Sequence, residues 1–294
     1  MEDRLRRIAH KLAVVPGLPG RGRAFGEQAH GFRLSPPLPE AEVAAFEAEH
    51  NVRLPDSYRA FLTTIGNGGP GRFGDAGTGP YYGLLPLRNW DYALVEEAIH
   101  EVLATPFPID LGRTYGKDWL AEAGLDEDGE WFPGAVALCE QGCGYMGLLV
   151  VSGPARGRVV YTMDVERAPF FVSLDFLDWY EGWLDEIAAG IDSTWYGGLA
   201  AGDTGTLIGE LRDAGRGDER RARVALTLGT RIDQPGVRLA LRDAVSGDGP
   251  VGMRVAAVAV LAKHATPQDE PALLAALDDE EPRLRAVAWR PGDR

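Results

Sequence analysis

A chain of 294 residues has room for two domains at roughly 100–200 residues each, and its 45% hydrophobic and 25% charged content is that of a folded globular protein. A formal net charge of −14 disfavours nucleic acid and anionic membrane surfaces as partners, and draws in basic proteins while aiding solubility. The N-terminus has no apolar run of signal-peptide length, and the longest apolar stretch, around Val255–Ala262, is too short to span a bilayer. A cytoplasmic protein is therefore expected.

In chain order, the first predicted helix is Asp3–Val14, with Leu5, Ile8 and Leu12 spaced for one face. The glycine- and proline-rich stretch Gly17–Pro37 reads as an extended arm. A helix opening at Pro39 and Glu40 turns Val43, Ala45 and Phe46 inward and leaves at Asn51. In LPDSYRAFLTTIGNGG, Tyr58, Phe61, Leu62 and Ile65 make an amphipathic stripe. Asp56 or Ser57 can cap its start, and Gly66 and Asn67 can take left-handed conformations that end it. A glycine-rich loop then leads into an apolar strand predicted at Tyr82–Pro86.

Residues 135–164 hold three β-type runs, AVALCE, GYMGLLVVSG and GRVVYTMD, separated by turn chemistry at QGCG and GPARG; they read as an antiparallel meander. A helix follows in SLDFLDWYEGWLDEI. Phe176, Leu177, Tyr180, Trp183, Leu184 and Ile187 share one side and are expected to bury on the sheet. Asp178, Glu181 and Asp185 share the other, expected as a solvated face.

Beyond Tyr196–Gly205 aromatic residues almost vanish. RARVALTL (221–228), GMRVAAVAVL (252–261) and PRLRAVAW (282–289) resemble one another, and their Arg223, Arg254 and Arg285 recur every 31 residues. VRLALRDAV (237–245) and PALLAALDD (271–279) lie between them. A fixed period of paired helices is the mark of an α-solenoid. The expected fold class is therefore α+β, an antiparallel sheet flanked by helices, followed by a short all-α solenoid of paired helices. The domains are placed at 1–195 (core about 30–190) and 205–294.

No coherent catalytic set emerges. The glycines of GNGGPGRFGDAGTG follow a helix and precede a strand, the reverse of a dinucleotide loop, and no Walker-type GK[ST] is present. There is no GxSxG elbow around Ser152 and no HExxH; the histidines at 10, 30, 50, 100 and 264 lack ligand spacing. Asp126, Glu127, Asp128 and Glu130 read as an exposed turn. Cys139 and Cys143, the two cysteines, are expected as thiols flanking a turn; their count excludes a disulfide scaffold and gives no second pair for a metal knuckle. The expectation is a non-enzyme without cofactor or metal. Tyr81, Tyr82, Trp90 and Tyr92 around the loop are suited either to recognition or to the core.

LPDSYRAFLTTIGNGGPG, then YYGLLPL, then GCGYMGLLVVSGPARGRVVY and finally FLDWYEGWLDE resemble, in that order, the SUKH superfamily, which includes fungal cell-wall assembly regulators and many bacterial immunity proteins. The resemblance covers about residues 30–190. It implies an α+β domain that acts by protein binding, in bacteria as an antidote that neutralises a toxin, often a nuclease, and in fungi as a regulatory hub; a basic nuclease would suit the acidic surface here. It supplies no catalytic residues. Gly66, Asn67, Gly68 and Gly69 match its glycine motif and are read as shaping the loop. The tail is similar to HEAT-type repeats, a second protein-binding architecture. Partner-binding groups are nominated near the loop and sheet: Tyr81, Tyr82, Trp90, Asp91, Glu140 and Asp164. An immunity protein and an intracellular regulatory scaffold both remain open on these residues.

Overall fold

In the computed structural model, which describes residues 1–19, 25–92, 102–110, 113, 115–116, 118–125, 132–162, 170–173, 175–191 and 196–289, the chain divides into two units. One is Phe25–Tyr180; the other joins Met1–Ala24 to Glu181–Arg294.

In the first unit, the β-rich runs form β1 (Ala135–Gly142), β2 (Tyr145–Val150) and β3 (Val159–Tyr161), paired antiparallel as expected. A fourth strand, β4 (Phe170–Ser173), adds to β3, giving the order β1-β2-β3-β4. The β1–β2 hairpin closes through Cys143 and Gly144, at φ of 55° and 81°. Positive φ at both central residues is the type I′ turn that matches strand twist. The expected strand at Tyr82–Pro86 is not regular. Tyr81 at φ 57° and Gly83 at φ 113° break the pleat. The segment instead lies along β1: Leu85 N–H donates to the Leu138 carbonyl (2.7 Å) and Tyr82 N–H to that of Glu140 (3.2 Å).

Both sheet faces are covered, so the strands read as nearly continuous apolar runs rather than alternating ones. One face packs Ala137, Leu148, Val150 and Val160 with Phe107, Trp119 and Phe132. The other carries buried Val136, Leu149, Val159 and Tyr161. Helices α3 (Glu40–Glu49) and α4 (Asp56–Thr64) form at the expected places, but on α3 Val43 alone is buried, Phe46 is half-buried and Ala45, expected inward, is exposed. On α4, Tyr58 and Phe61 bury against Phe176, with ring centroids 4.8 and 5.1 Å apart. The expected arm at 17–37 contains a short helix, α2 (Glu27–His30), preceded by a 3-10 turn at Val15–Gly17. A further short helix, α5 (Trp119–Ala123), stacks Trp119 on Phe132 at 6.0 Å.

Helix α6 (Phe176–Ala189) gives its first residues to the sheet unit, where Trp179 Nε1 donates to the Tyr161 hydroxyl (2.8 Å) and Tyr180 donates to the Thr78 carbonyl (2.6 Å). The rest of α6 belongs to the helical unit, and here the expectation of a solvated acidic face is corrected. Glu181 and Asp185 are buried, because α1 (Glu2–Val14) presents Arg7 and Lys11 at the same i, i+4 spacing. Lys11 Nζ, only 1% exposed, lies 2.7 Å from Glu181 and 2.5 Å from Asp185; Arg7 Nε is 2.9 Å from Glu181, and Lys263 is 2.7 Å from Asp185. Burial by itself would raise the Glu181 pKa, but the charges of Lys11 and Lys263 and the Arg7 hydrogen bonds hold it well below the usual carboxylate range. Removing one member of such a network leaves a bare buried charge, a loss of about 3–5 kcal/mol. These ion pairs explain why α1 groups with the C-terminal helices, although the sequence alone places it with the sheet.

The helical unit continues with α7 (Thr204–Arg212), α8 (Asp218–Gly229), α9 (Val237–Ser246), α10 (Val251–Lys263), α11 (Glu270–Leu277) and α12 (Pro282–Val287). Helix α10 is its centre, buried from Val255 to Ala262 and packed on α8, α9, α11 and α12. No side chain of its own caps α10. Asp218 of α8 does so, accepting from the N–H groups of Gly252 (3.0 Å) and Met253 (2.8 Å), where a carboxylate also meets the positive end of the helix dipole. The three periodic arginines hold loops: Arg223 donates to Gly198 O (3.0 Å), Arg254 to the Asp279 carboxylate (2.6 Å) and Arg285 to Glu280 O (2.9 Å). Two further contacts join residues one period apart, Arg212 with Asp243 and Arg238 with Asp269.

Candidate functional site: an aromatic face on the sheet unit

The glycine motif at 66–69 fixes the geometry from which the site is built. The left-handed residue is Gly68, at φ 62°, and not Gly66 or Asn67 as the sequence suggests. A Cβ at Gly66 would lie 2.7 Å from the Ser35 carbonyl, and at Gly69 2.5 Å from that of Arg33. These glycines are present because two backbones meet there. Asn67 is buried, and its Oδ1 accepts from Leu87 N–H at 2.7 Å, tying the loop to the segment that runs along β1.

That segment carries the nominated aromatics, and they divide. Tyr81 is 1% exposed and packs edge-on against Tyr161 at 5.5 Å; Trp90 is 7% exposed and lies against His50 at 4.8 Å. Both are core residues, which corrects their assignment to a partner surface. Tyr81 sits in a turn at φ 57°, and its neighbour Tyr82 is not buried with it. Tyr82 is half-buried, as are Asp91 and Glu140. Asp164 lies outside the described residues.

Around Tyr82 an aromatic cluster assembles. Its ring lies 4.5 Å from that of Phe73 and 5.3 Å from that of Phe25, which is 38% exposed. Gly26 places Phe25 there: at φ 79° its backbone presses on the Tyr81 carbonyl with no space for a Cβ. The Gly142 backbone lies close against the Tyr82 ring, where a Cβ would sit 3.3 Å from it. Gly74 likewise gives room to Tyr92, 41% exposed, whose hydroxyl donates to Glu140 Oε2 at 3.1 Å. Burial, together with the Glu140 charge and this bond, raises the Tyr92 pKa. Phe25 and Phe73 were not nominated from the sequence. Phe25 is distant along the chain from the loop, and only the positive-φ turn at Gly26 brings it in.

Cys143, at the hairpin tip, is exposed, whereas Cys139 is buried and its thiol pKa is pushed up by that burial. Burial likewise lowers the His30 pKa to about 4. No group of His, Cys, Asp and Glu among the described residues could hold a metal ion, and none of the described helices is long and apolar enough to cross a membrane. Within the helical unit, an open groove of about 500 Å³ is lined by Asp3, Arg7, Arg238, Lys263, His264 and Trp289, among others. Its Arg7, Arg238 and Lys263 are each already paired with a buried carboxylate.

Charge is distributed unevenly between the units. Residues 25–180 hold ten Lys and Arg against 23 Asp and Glu, a formal net charge of −13; the remainder hold 20 against 21, net −1. The aromatic face therefore belongs to the unit that carries nearly all of the acidity.

Compared with known families, residues 37–182 match the model of the SMI1 / KNR4 family (SUKH-1), which supports the SUKH superfamily for this part of the chain. No curated protein and no solved structure matches the chain.

Proposed function

We propose that the chain, with a SUKH-1 match over residues 37–182, is a non-catalytic, cytoplasmic immunity protein that binds and neutralises a cognate toxin domain through the aromatic face of residues 25–180. The observation that carries this reading is the coincidence of exposed Phe25 and Tyr92 and half-buried Tyr82 with a unit of formal net charge −13. Aromatic anchors dominate protein interfaces, and strong acidity speeds association with a basic partner such as a nuclease. No cofactor is required for such a role. The helical unit is read as short HEAT-like repeats, a reading supported by the 31-residue spacing of Arg223, Arg254 and Arg285 and by the bonds between residues one period apart.

A second reading, a regulatory scaffold, is favoured by the exposed Leu239 on α9 and Leu274 on α11, which offer apolar contacts on the helical unit. Co-expression with the product of the gene encoded beside it separates the two. An immunity protein protects the host from that product. Tyr82→Ala abolishes protection and Leu239→Glu with Leu274→Glu leaves it intact. Equal killing with and without the protein defeats the immunity reading, and loss of partner capture only in the leucine variant supports the scaffold.

A further inference from the structure

We propose that the aromatic face recognises one arginine side chain of the partner, seated against Tyr82 and Tyr92 with Glu140 as its counter-charge. This rests on the docking reading above and specifies its chemistry. The rings of Phe73 and Tyr82, 4.5 Å apart, supply π surface, and so does Tyr92, whose ring lies beside Gly74 and whose hydroxyl meets Glu140. Glu140 Oε2 is oriented by the Tyr92 hydroxyl at 3.1 Å, while Oε1 accepts no hydrogen bond among the described residues. A half-buried carboxylate with one oriented and one open oxygen, bordered by aromatic faces, suits a planar cation that can stack and donate at once. Guanidinium has that shape and is more weakly hydrated than ammonium. The glycines match the same purpose, since Gly74 and Gly142 keep backbone rather than side chains beside Tyr92 and Tyr82. Arg88, on the same loop system, is engaged by Asp75 at 2.5 Å.

The test uses the full chain and two probes of one shape, N-acetyl-arginine amide and the uncharged N-acetyl-citrulline amide, each titrated while backbone amide NMR signals are followed. Saturable shifts at Gly74, Tyr82, Tyr92 and Gly142 with arginine, at least about three-fold tighter than with citrulline, are expected, as a solvent-exposed cation–π contact of modest energy allows. Glu140→Gln, nearly isosteric, removes the difference between the probes while leaving the spectrum of the folded chain unchanged elsewhere. Equal response to both probes, or arginine shifts confined to other residues, overturns the proposal. In that event, protection that still depends on Tyr82 in co-expression keeps the docking reading and rejects only its arginine chemistry. Arginine binding on a face that protection does not need keeps the cation site and rejects the docking reading.

Discussion

Glu186 and Glu181 are both buried on α6, yet their surroundings push them in opposite directions. Glu181 has three cations at hand, whereas Glu186 has one hydrogen bond, from Gly197 N–H at 2.7 Å, and Arg223 at 3.9 Å. Burial dominates, so the Glu186 pKa rises to about 7, with adjacent Asp185 adding to the rise. The folded chain thus holds a proton on Glu186 at pH values where the unfolded chain, near its ordinary 4.5, has released it. The contribution to stability is present below about pH 4.5 and is lost as the pH rises through 7, a change on the order of 3 kcal/mol. Glu186→Gln keeps the acceptor for Gly197 and cannot ionise. Between pH 5 and pH 8, urea unfolding of the wild type should lose stability that the variant retains; parallel profiles would show that Glu186 is not the group responsible. Glu181 acts on the acid side, since its lowered pKa gives stability fully present above its ordinary 4.5 and lost as the pH falls below that value.

At the scale of elements, the loop at 66–69 is the joint on which the aromatic face depends. Gly69→Ala would set a methyl 2.5 Å from the Arg33 carbonyl and 2.6 Å from Gly77 Cα, both backbone, so neither neighbour can move aside cheaply. A loss of about 1–3 kcal/mol is expected by thermal or urea unfolding, together with NMR shifts at Leu87 and Tyr82; an unchanged variant would contradict the close approach. The sequence makes much of this level legible. The stripe Tyr58, Phe61 and Leu62 on α4 and the three hairpin strands follow from periodicity and turn chemistry. What it hides has physical reasons. β4 is four residues long and offers too short a run to carry a pattern. Tyr81 and Tyr82 look equivalent in the sequence, where nothing says which of the two enters the core; the fold buries Tyr81 and leaves Tyr82 half-buried. The acidic face of α6 reads as solvated because its partners, Arg7 and Lys11, lie about 170 residues away in the chain.

For the whole molecule, a net charge of −14 says less than its distribution. The helical unit is nearly neutral and spends its arginines on loops and its own carboxylates, while residues 25–180, which include the aromatic surface, hold nearly all of the net acidity. Such an arrangement favours rapid, salt-sensitive capture of a basic protein. The 31-residue arginine period was readable from the chain alone; the division of charge became informative only when the units were defined. The central claim is that Tyr82 and Glu140 form the docking face for a basic protein. The direct measurement is a binding isotherm between the full chain and the purified product of the adjacent gene, for the wild type and for Tyr82→Ala with Glu140→Arg. The account predicts one-to-one binding that weakens with salt and falls at least about 100-fold in the double variant, within the range of interface anchors. Equal affinity of the two proteins, or no binding by the wild type, would contradict it.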